Sequence, residues 1–197
     1  MANYFKYFPK LNYQGEVLRD ITTRPKFLDD LAQDPYSFLP YTIKSGETAH
    51  EVSQYYYGSP IYVWAIYLAN DIVDPYFGWP ITDTEVEKTI SKKYKSQAEA
   101  SDGEELSAQE VLEWSLRTEK NGELFTDNIL YYYNVNDEDD KITVDTWLYG
   151  GVTTNDWYPM RVYQYEMMTN ESKRDIRLLN KEYLSLAMAN LKSAMKG

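Results

Sequence analysis

The clearest pattern of hydrophobic and polar positions lies in residues 41–82, where one short alternating run precedes two helical repeats. Residues 41–45 alternate in polarity as a strand does, and Gly46 then turns the chain. The motif Thr48-x-x-Glu51 is a capping box, which predicts a first helix because each side chain satisfies a free backbone N–H of the first turn. Gly58 is expected to end this helix.

Ser59 and Pro60 predict the start of a second helix, with a capping hydroxyl followed by proline at the first helical position. The apolar face of this helix has helical spacing and consists of Ile61, Trp64, Ala65 and Leu68. The helix is predicted to end at Asn70, and residues 74–81 predict a turn that leads into a short closing strand. Together these elements predict a strand–helix–helix–strand unit.

The following part of the chain, 83–122, is predicted to be a helical connector. Thr82-x-x-Glu85 caps a helix over 83–95, whose apolar positions recur every four residues. The stretch 96–105 is small, polar and acidic, which predicts an exposed linker or loop. A further short helix is predicted over 107–117.

Beyond residue 122 the pattern changes to runs of β-branched and aromatic residues, which favour strands. The predicted elements are strands over 128–135, 141–147 and 160–167, a segment of either type over 172–179, and a final helix over 181–195 capped by Asn180. The turn between the first two strands, 136–140, contains four acidic residues. The apolar stripe of the final helix consists of Leu184, Met188, Leu191 and Met195.

The first 40 residues contain four prolines, which interrupt any long helix: Pro9, Pro25, Pro35 and Pro40. We expect an extended arm with one short helical piece near 26–32, whose aromatic side chains must pack on the protein's own body or on a neighbour. The patterns together predict an α+β fold in four ranges: the arm over 1–40, the strand–helix–helix–strand unit over 41–82, the connector over 83–122, and a β-rich region with a C-terminal helix over 123–197.

Composition narrows the range of functions. The 197-residue chain has no cysteine, which excludes disulfides, thiolate metal sites and a cysteine nucleophile. Its single histidine, His50, excludes a site that needs two imidazoles. The formal net charge of −11 disfavours broad nucleic-acid binding, and no apolar run is long enough to span a membrane. The charge and the hydropathy therefore predict no nucleic-acid partner and no membrane partner. The first residues lack the pattern of a signal peptide, so we expect no export by a cleaved signal.

The charge is distributed unevenly along the chain. The range 161–197 is the only basic part, with seven Lys and Arg against four Asp and Glu. This basic tail could fold back on the acidic residues 137–140, or it could contact an acidic partner.

Residues suited to catalysis or metal binding do not form a recognisable motif. Paired carboxylates could support glycoside hydrolysis, but Glu47 and Glu51 are explained by their position at a helix start. Residues 137–140 lack the glycine and the bidentate glutamate of a calcium loop, which favours a solvated turn. A structural role is expected for His50. We therefore expect no enzymatic activity, no cofactor and no metal.

The strand–helix–helix–strand unit carries a resemblance to a known module. The sequence Tyr41-Thr-Ile-Lys-Ser-Gly-Glu-Thr48, followed by Val52, Tyr57-Gly58 and Asn70, resembles a LysM module, with Glu47 in place of the usual aspartate. The resemblance implies a strand, two helices and a closing strand. It also implies, as one alternative, a module that binds N-acetylglucosamine polymers.

A second resemblance is more specific. Tyr57-Gly-Ser-Pro-x-Tyr-x-Trp64, Asn70-x-x-x-Asp-Pro-Tyr-x-Gly-Trp79 and Tyr163-x-Tyr-Glu-x-x-x-Asn-Glu-x-Lys-Arg-x-Ile-x-Leu-Leu179 are together similar to the baseplate wedge proteins of contractile-tailed phages that carry a LysM-like domain. The resemblance implies a structural subunit of the inner baseplate, built into a wedge, six of which join around a central hub. Its partners would be other baseplate wedge and hub proteins and, indirectly, copies in adjacent wedges. It would reside in the virion tail after assembly in the host cytoplasm.

The residues expected to form interfaces are aromatic or basic: Tyr41, Tyr76, Phe77, Trp79, Lys173, Arg174 and Arg177. The three aromatic residues 76, 77 and 79 lie where a LysM fold exposes its ligand edge, although each could instead pack in the core. The three cations would give the basic tail a face for an acidic neighbour, or would lie on a solvated edge. The alternative function is a peptidoglycan-binding LysM module of a phage tail, in which Tyr41 and Trp79 would contact the glycan.

Overall fold

The computed structural model describes residues 8–20, 34–152 and 156–194. It contains both helices and small antiparallel sheets, so the predicted α+β class is confirmed. The strands are β1 (Lys10–Tyr13), β2 (Glu16–Arg19), β3 (Phe38–Thr42), β4 (Glu119–Lys120), β5 (Glu123–Leu124), β6 (Ile129–Asn134), β7 (Asp137–Ile142), β8 (Trp157–Arg161) and β9 (Asp175–Leu179). The helices are α1 (Ala49–Tyr57), α2 (Val63–Ala69), α3 (Pro75–Gly78), α4 (Asp83–Lys93), α5 (Lys95–Asp102), α6 (Ala108–Leu116), α7 (Val144–Tyr149), α8 (Val162–Glu171) and α9 (Leu184–Ala194).

The chain divides into two compact units. Unit 1 comprises residues 1–80 together with 173–197, and unit 2 comprises residues 81–172. The four ranges taken from the sequence stay a prediction as separate domains. In the structure the last part of the chain belongs to the same unit as the first part, and unit 2 lies between these two parts in the sequence.

The helical part of unit 1 forms as its capping residues predict. Thr48 accepts a hydrogen bond from the backbone N–H of Glu51, whose carboxylate accepts one from the N–H of Thr48 at the start of α1. Gly58 ends α1 with a φ of 78°, a left-handed conformation that glycine adopts without steric cost. Ser59 caps the short 3-10 turn Pro60–Tyr62, which leads into α2.

The prediction of a closing strand after Trp79 is wrong. The strand β3 pairs instead with β9, in an antiparallel register that places Tyr41 opposite Ile176. Pro80 has no N–H to donate to a ladder, whereas Ile176 and Leu178 of β9 supply two buried apolar side chains to the core. The second strand of this sheet therefore comes from the far end of the chain, and β3 begins earlier than the predicted 41–45.

Two hydrophobic clusters form the core of unit 1. The buried members of the first, which joins α2 to α9, are Phe8, Trp64, Ala65, Leu179, Ala187 and Leu191. The buried members of the second, between α1, α2 and the sheet, are Ile43, Ala49, Val52, Ile66, Trp79, Ile176 and Leu178. Leu184 and Met188 pack against the first cluster, which confirms the predicted apolar stripe of the final helix as far as Leu191; Met195 lies outside the described residues.

Unit 2 has a separate core. Helices α4, α5, α6 and α8 contribute to one cluster whose buried members are Val86, Ile90, Tyr94, Ala98, Leu106, Val111, Trp114, Phe125 and Val162. The predicted loop over 96–105 is wrong, because residues 95–102 form α5, which ends at Gly103 with a φ of 81°. Ala98 of α5 is fully buried in the cluster, and this burial favours the helix despite its polar surroundings.

The three-stranded sheet of unit 2 has the order β7-β6-β8. The predicted hairpin is confirmed in its first strand, but the acidic residues 137–140 lie in β7 rather than in a turn, with their side chains exposed on an edge strand. The prediction of strand over 141–147 fails after Ile142, because Thr143 caps α7 by accepting the N–H of Thr146. The strand predicted over 160–167 likewise ends at Arg161, where α8 begins.

A hairpin replaces part of the predicted extended arm. Strands β1 and β2 are joined by a two-residue turn in which Gln14 and Gly15 have φ values of 52° and 87°. Two consecutive left-handed residues give the turn type that matches the twist of paired strands, and glycine at the second position makes it accessible. The helical piece predicted over 26–32 lies outside the described residues.

Candidate interaction surface

Two aromatic side chains project from the short helix α3. Tyr76 and Phe77 are 90% and 78% exposed. The turn that carries them is fixed, because the carboxylate of Asp74 accepts a hydrogen bond of 2.9 Å from the backbone N–H of Tyr76. A Cβ atom at Gly78 would lie 2.8 Å from the Cγ2 atom of Ile72, so only glycine permits this close approach. Two large rings therefore lie in solvent on a hydrogen-bonded turn.

Trp79, the next aromatic residue of this segment, is buried. Its indole N–H donates a hydrogen bond of 2.8 Å to the backbone carbonyl of Glu47, and its ring meets that of Tyr67 edge to face at 6.2 Å. The hydroxyl of Tyr41 donates to the carboxylate of Glu47 and lies 2.8 and 2.9 Å from its two oxygens. Trp79 and Tyr41 thus converge on Glu47 and anchor the segment from which Tyr76 and Phe77 project.

The environment of Tyr41 favours its neutral phenol. Partial burial, followed by the hydrogen bond and the negative charge of Glu47, raises the pKa of Tyr41 to about 12. The same carboxylate accepts the backbone N–H of Lys44 at 3.0 Å. Glu47 therefore connects β3, the following turn and the segment after α3.

Two of the three predicted basic residues, Arg174 and Arg177, donate hydrogen bonds to backbone carbonyls within unit 1. Arg174 is buried, and its guanidinium donates to the carbonyl of Ile43 at 3.4 Å. Arg177 lies on β9, where its Nε–H donates to the carbonyl of Ala69. Lys173 is half-buried just before β9. These positions favour a role for the two arginines in holding β9, and their predicted contact with an acidic neighbour stays a prediction.

In the sequence Asn70 is only a helix end and part of a motif, whereas in the structure its side chain makes three hydrogen bonds to the backbone. Its amide nitrogen donates to the carbonyls of Ile66 and Arg177, at 2.8 and 2.9 Å, and its amide oxygen accepts the N–H of Arg177 at 2.9 Å. One side chain therefore joins the end of α2 to β9. The sequence contained no signal for this pairing, because the two residues are 107 positions apart.

Features of a chemical site are few in the described parts of the chain. Those parts contain no group of three or more His, Asp or Glu side chains placed to hold a metal ion. His50 lies exposed on α1. Of the helices within the described ranges, none combines the length and apolar character needed to cross a membrane.

These observations define a class of protein before any comparison is made. A mixed α+β chain holds two large aromatic side chains in solvent on a hydrogen-bonded turn, and both predicted interface arginines donate to backbone carbonyls of the chain itself. Exposed aromatic residues on a rigid support are characteristic of surfaces by which the subunits of an assembly contact one another.

The sequence comparisons identify the assembly. The family described as base plate wedge protein 53 matches residues 6–193, and the chain belongs to this family. It is also similar to the baseplate wedge protein gp53 of Enterobacteria phage T4, with 25% identity over 159 residues, which cover 79% of this chain and 72% of that protein. The chain is therefore a structural subunit of the phage tail baseplate, resides in the virion tail and interacts with other baseplate proteins.

The comparisons also bear on the two resemblances described above. The wedge resemblance is confirmed by the family match. The LysM-like resemblance stays an interpretation. In this structure β9 supplies the second strand of the sheet that begins with β3. The alternative of a peptidoglycan-binding tail module is not favoured by membership of a baseplate wedge family.

Proposed function

We propose that this subunit joins neighbouring wedge proteins through the exposed rings of Tyr76 and Phe77, and that it does so without catalysing a reaction. The observation that carries the proposal is the contrast within one short segment. Two rings lie in solvent, while Trp79 beside them is buried and hydrogen-bonded to Glu47. Large aromatic residues dominate the binding free energy of protein interfaces because they bury much apolar area and lose little conformational entropy.

The braced turn supports this role energetically. A partner that covers Tyr76 and Phe77 meets a backbone that is already restricted, because Asp74 accepts the N–H groups of Tyr76 and Gly78. Little entropy is then lost on binding, and most of the free energy of ring burial contributes to affinity. Wedge and hub proteins of the same baseplate are the proposed partners, with the chain transmitting changes of baseplate shape between them.

Binding measurements with purified wedge proteins of the same phage test the proposal. We expect the double variant Tyr76→Ala and Phe77→Ala to bind its wedge partner at least about tenfold more weakly, because each ring that acts as an anchor contributes more than about 1 kcal/mol. The thermal unfolding midpoint should stay unchanged, since both rings are exposed in the isolated chain.

The matched control is Tyr55→Ala, on α1. Tyr55 is 80% exposed and is not part of the proposed surface. Binding by this variant should equal that of the parent protein. Equal affinity of the parent and the double variant for every wedge protein would contradict the proposal. Co-sedimentation of the parent with insoluble peptidoglycan, lost in Trp79→Phe while the fold is retained, would favour the alternative.

A further inference from the structure

The hairpin β1–β2 is unusual in the exposure of its side chains. All eight residues of its two strands are exposed. An isolated two-stranded hairpin is only marginally stable in water, because neither face is buried and each strand has one unpaired edge. Within the described residues, β1 and β2 pair only with each other.

The hairpin is nevertheless well defined at both ends. At its tip, Gln14 and Gly15 adopt the left-handed conformations of a tight turn. At its base, the backbone N–H of Asp20 donates to the carbonyl of Pro9 at 2.8 Å. Phe8, which precedes the hairpin, is 5% exposed and belongs to the core of unit 1. The hairpin is therefore a preformed element that Phe8 attaches to the core of unit 1, although the side chains of its own strands are exposed.

The two faces of the hairpin differ in character. The cross-strand pairs Leu11–Leu18 and Tyr13–Glu16 lie on one face, since directly opposed residues share a face and the faces alternate along each strand. The pairs Lys10–Arg19 and Asn12–Val17 lie on the other face. One face is thus mainly apolar, and the other carries two cations.

The alternation is cleanest along β1, where Leu11 and Tyr13 belong to the apolar face and Lys10 and Asn12 to the other. A strand added to the edge of β1 would continue both faces of the sheet. Its apolar side chains would extend the face of Leu11 and Tyr13, and a carboxylate on its other face would lie near the ammonium group of Lys10.

We propose that the free edge of β1 accepts an extended strand from a different polypeptide of the baseplate, in which apolar residues alternate with polar residues that include a carboxylate. Main-chain hydrogen bonds supply the pairing, the apolar face of the hairpin is extended, and the cation selects the acidic strand. This surface is additional to the turn that carries Tyr76 and Phe77. The inference relies on the proposed function only for the source of the strand.

Site-specific cross-linking in assembled baseplates tests the inference. A photoreactive phenylalanine derivative replaces Tyr13, whose side chain is 62% exposed in the isolated chain. After irradiation and proteolysis, mass spectrometry is expected to identify a peptide of a different protein with alternating apolar and acidic residues. Products confined to this chain or to a second copy of it would overturn the inference, as would the absence of a product.

Two pairs of variants provide an independent readout, the amount of the chain incorporated into baseplates. Leu11→Asp should reduce incorporation at least tenfold, whereas Leu116→Asp should not, although Leu11 and Leu116 are 50% and 49% exposed. Lys10→Glu should reduce incorporation and Lys10→Arg should preserve it. All four variants are expected to keep the unfolding midpoint of the parent, because the side chains concerned are largely in solvent.

The outcomes separate this inference from the proposed function. Normal incorporation of Leu11→Asp and Lys10→Glu would overturn the strand-addition inference even where the Tyr76 and Phe77 variants lose binding. Loss of incorporation in Leu11→Asp together with full binding by the Tyr76 and Phe77 double variant would support the hairpin and contradict the proposed role of the turn.

Discussion

Glu47 connects three parts of unit 1 through hydrogen bonds. Its carboxylate accepts from the hydroxyl of Tyr41 and the backbone of Lys44, and its carbonyl accepts from the indole of Trp79. Two residues predicted as interface candidates, Tyr41 and Trp79, are therefore supports of the surface in the isolated chain, whereas Tyr76 and Phe77 are exposed.

The raised pKa of Tyr41 leads to a prediction at alkaline pH. A free tyrosine ionises at about pH 10, whereas Tyr41 in the folded chain has a pKa of about 12. Because the folded state favours the neutral phenol, the stabilisation is fully present below about pH 10 and is lost as the pH rises towards 12. Tyr94, buried beside the carboxylate of Glu166, behaves in the same way, with a pKa also raised to about 12.

Absorbance of phenolate as a function of pH measures this effect. We expect a late fraction that ionises near pH 12, because the pKa values of Tyr41 and Tyr94 are both raised to about 12. The variant Tyr41→Phe should reduce this late fraction by one phenol. A late fraction that is unchanged in Tyr41→Phe would show that burial and Glu47 do not hold the phenol of Tyr41 neutral.

A buried arginine illustrates what sequence analysis did not find at the residue scale. Arg161 is 6% exposed, and its guanidinium donates to the carbonyls of Arg117 and Phe125 and to the side-chain oxygen of Asn128. Burial lowers the pKa of Arg161 from its ordinary value. The sequence shows only an arginine at a strand end, because its three acceptors come from positions far along the chain.

At the scale of elements, the capping signals predict helix starts, whereas the strand patterns over 143–147 and 162–167 and the long-range strand pairing are not predicted correctly. The capping boxes at Thr48, Thr82 and Ser107 correctly predict helix starts, since each depends on residues three positions apart. The pairing of β3 with β9 has no comparable local signal. The acidic and polar composition of β7 and α5 favours loops in the sequence, whereas pairing with β6 produces the strand and the burial of Ala98 favours the helix.

The sheet of unit 1 depends on Asn70 as well as on the backbone ladder. We expect Asn70→Ala to lower the free energy of unfolding by about 2 kcal/mol, because the backbone groups of Arg177 and the carbonyl of Ile66 lose their partners. Urea unfolding followed by circular dichroism measures the change. Asn136→Ala, at an exposed position next to β7, should change stability by less than about 0.5 kcal/mol.

A loss in Asn70→Ala no larger than that in Asn136→Ala would contradict the role assigned to Asn70. The same comparison tests the corrected topology, because Asn70 contacts β9 rather than residues that directly follow Trp79.

At the scale of the whole molecule, unit 2 is an insertion with its own core. Its buried cluster draws only on residues between positions 81 and 172. The side chain of Asn170 accepts the backbone N–H of Ile81 and donates to its carbonyl, both at 2.9 Å, so the two ends of the inserted unit are held together. Unit 1, in contrast, contains strands from both ends of the chain.

This arrangement predicts different behaviour for two truncated chains. A fragment of residues 81–172 should unfold cooperatively in urea, because its core and its closing hydrogen bonds are complete. A chain ending at residue 172 should lose the ordered structure of unit 1, because β9 and α9 are removed. A disordered 81–172 fragment, or an ordered unit 1 in the truncated chain, would contradict this account.

The central claim is that the exposed turn of α3 is an interface within the baseplate, and a reconstruction of the intact baseplate of the same phage at side-chain resolution tests it most directly. The account predicts that Tyr76 and Phe77 are covered by another wedge or hub protein, while Trp79 keeps its hydrogen bond to Glu47. Both rings lying in solvent in the assembled baseplate would contradict it.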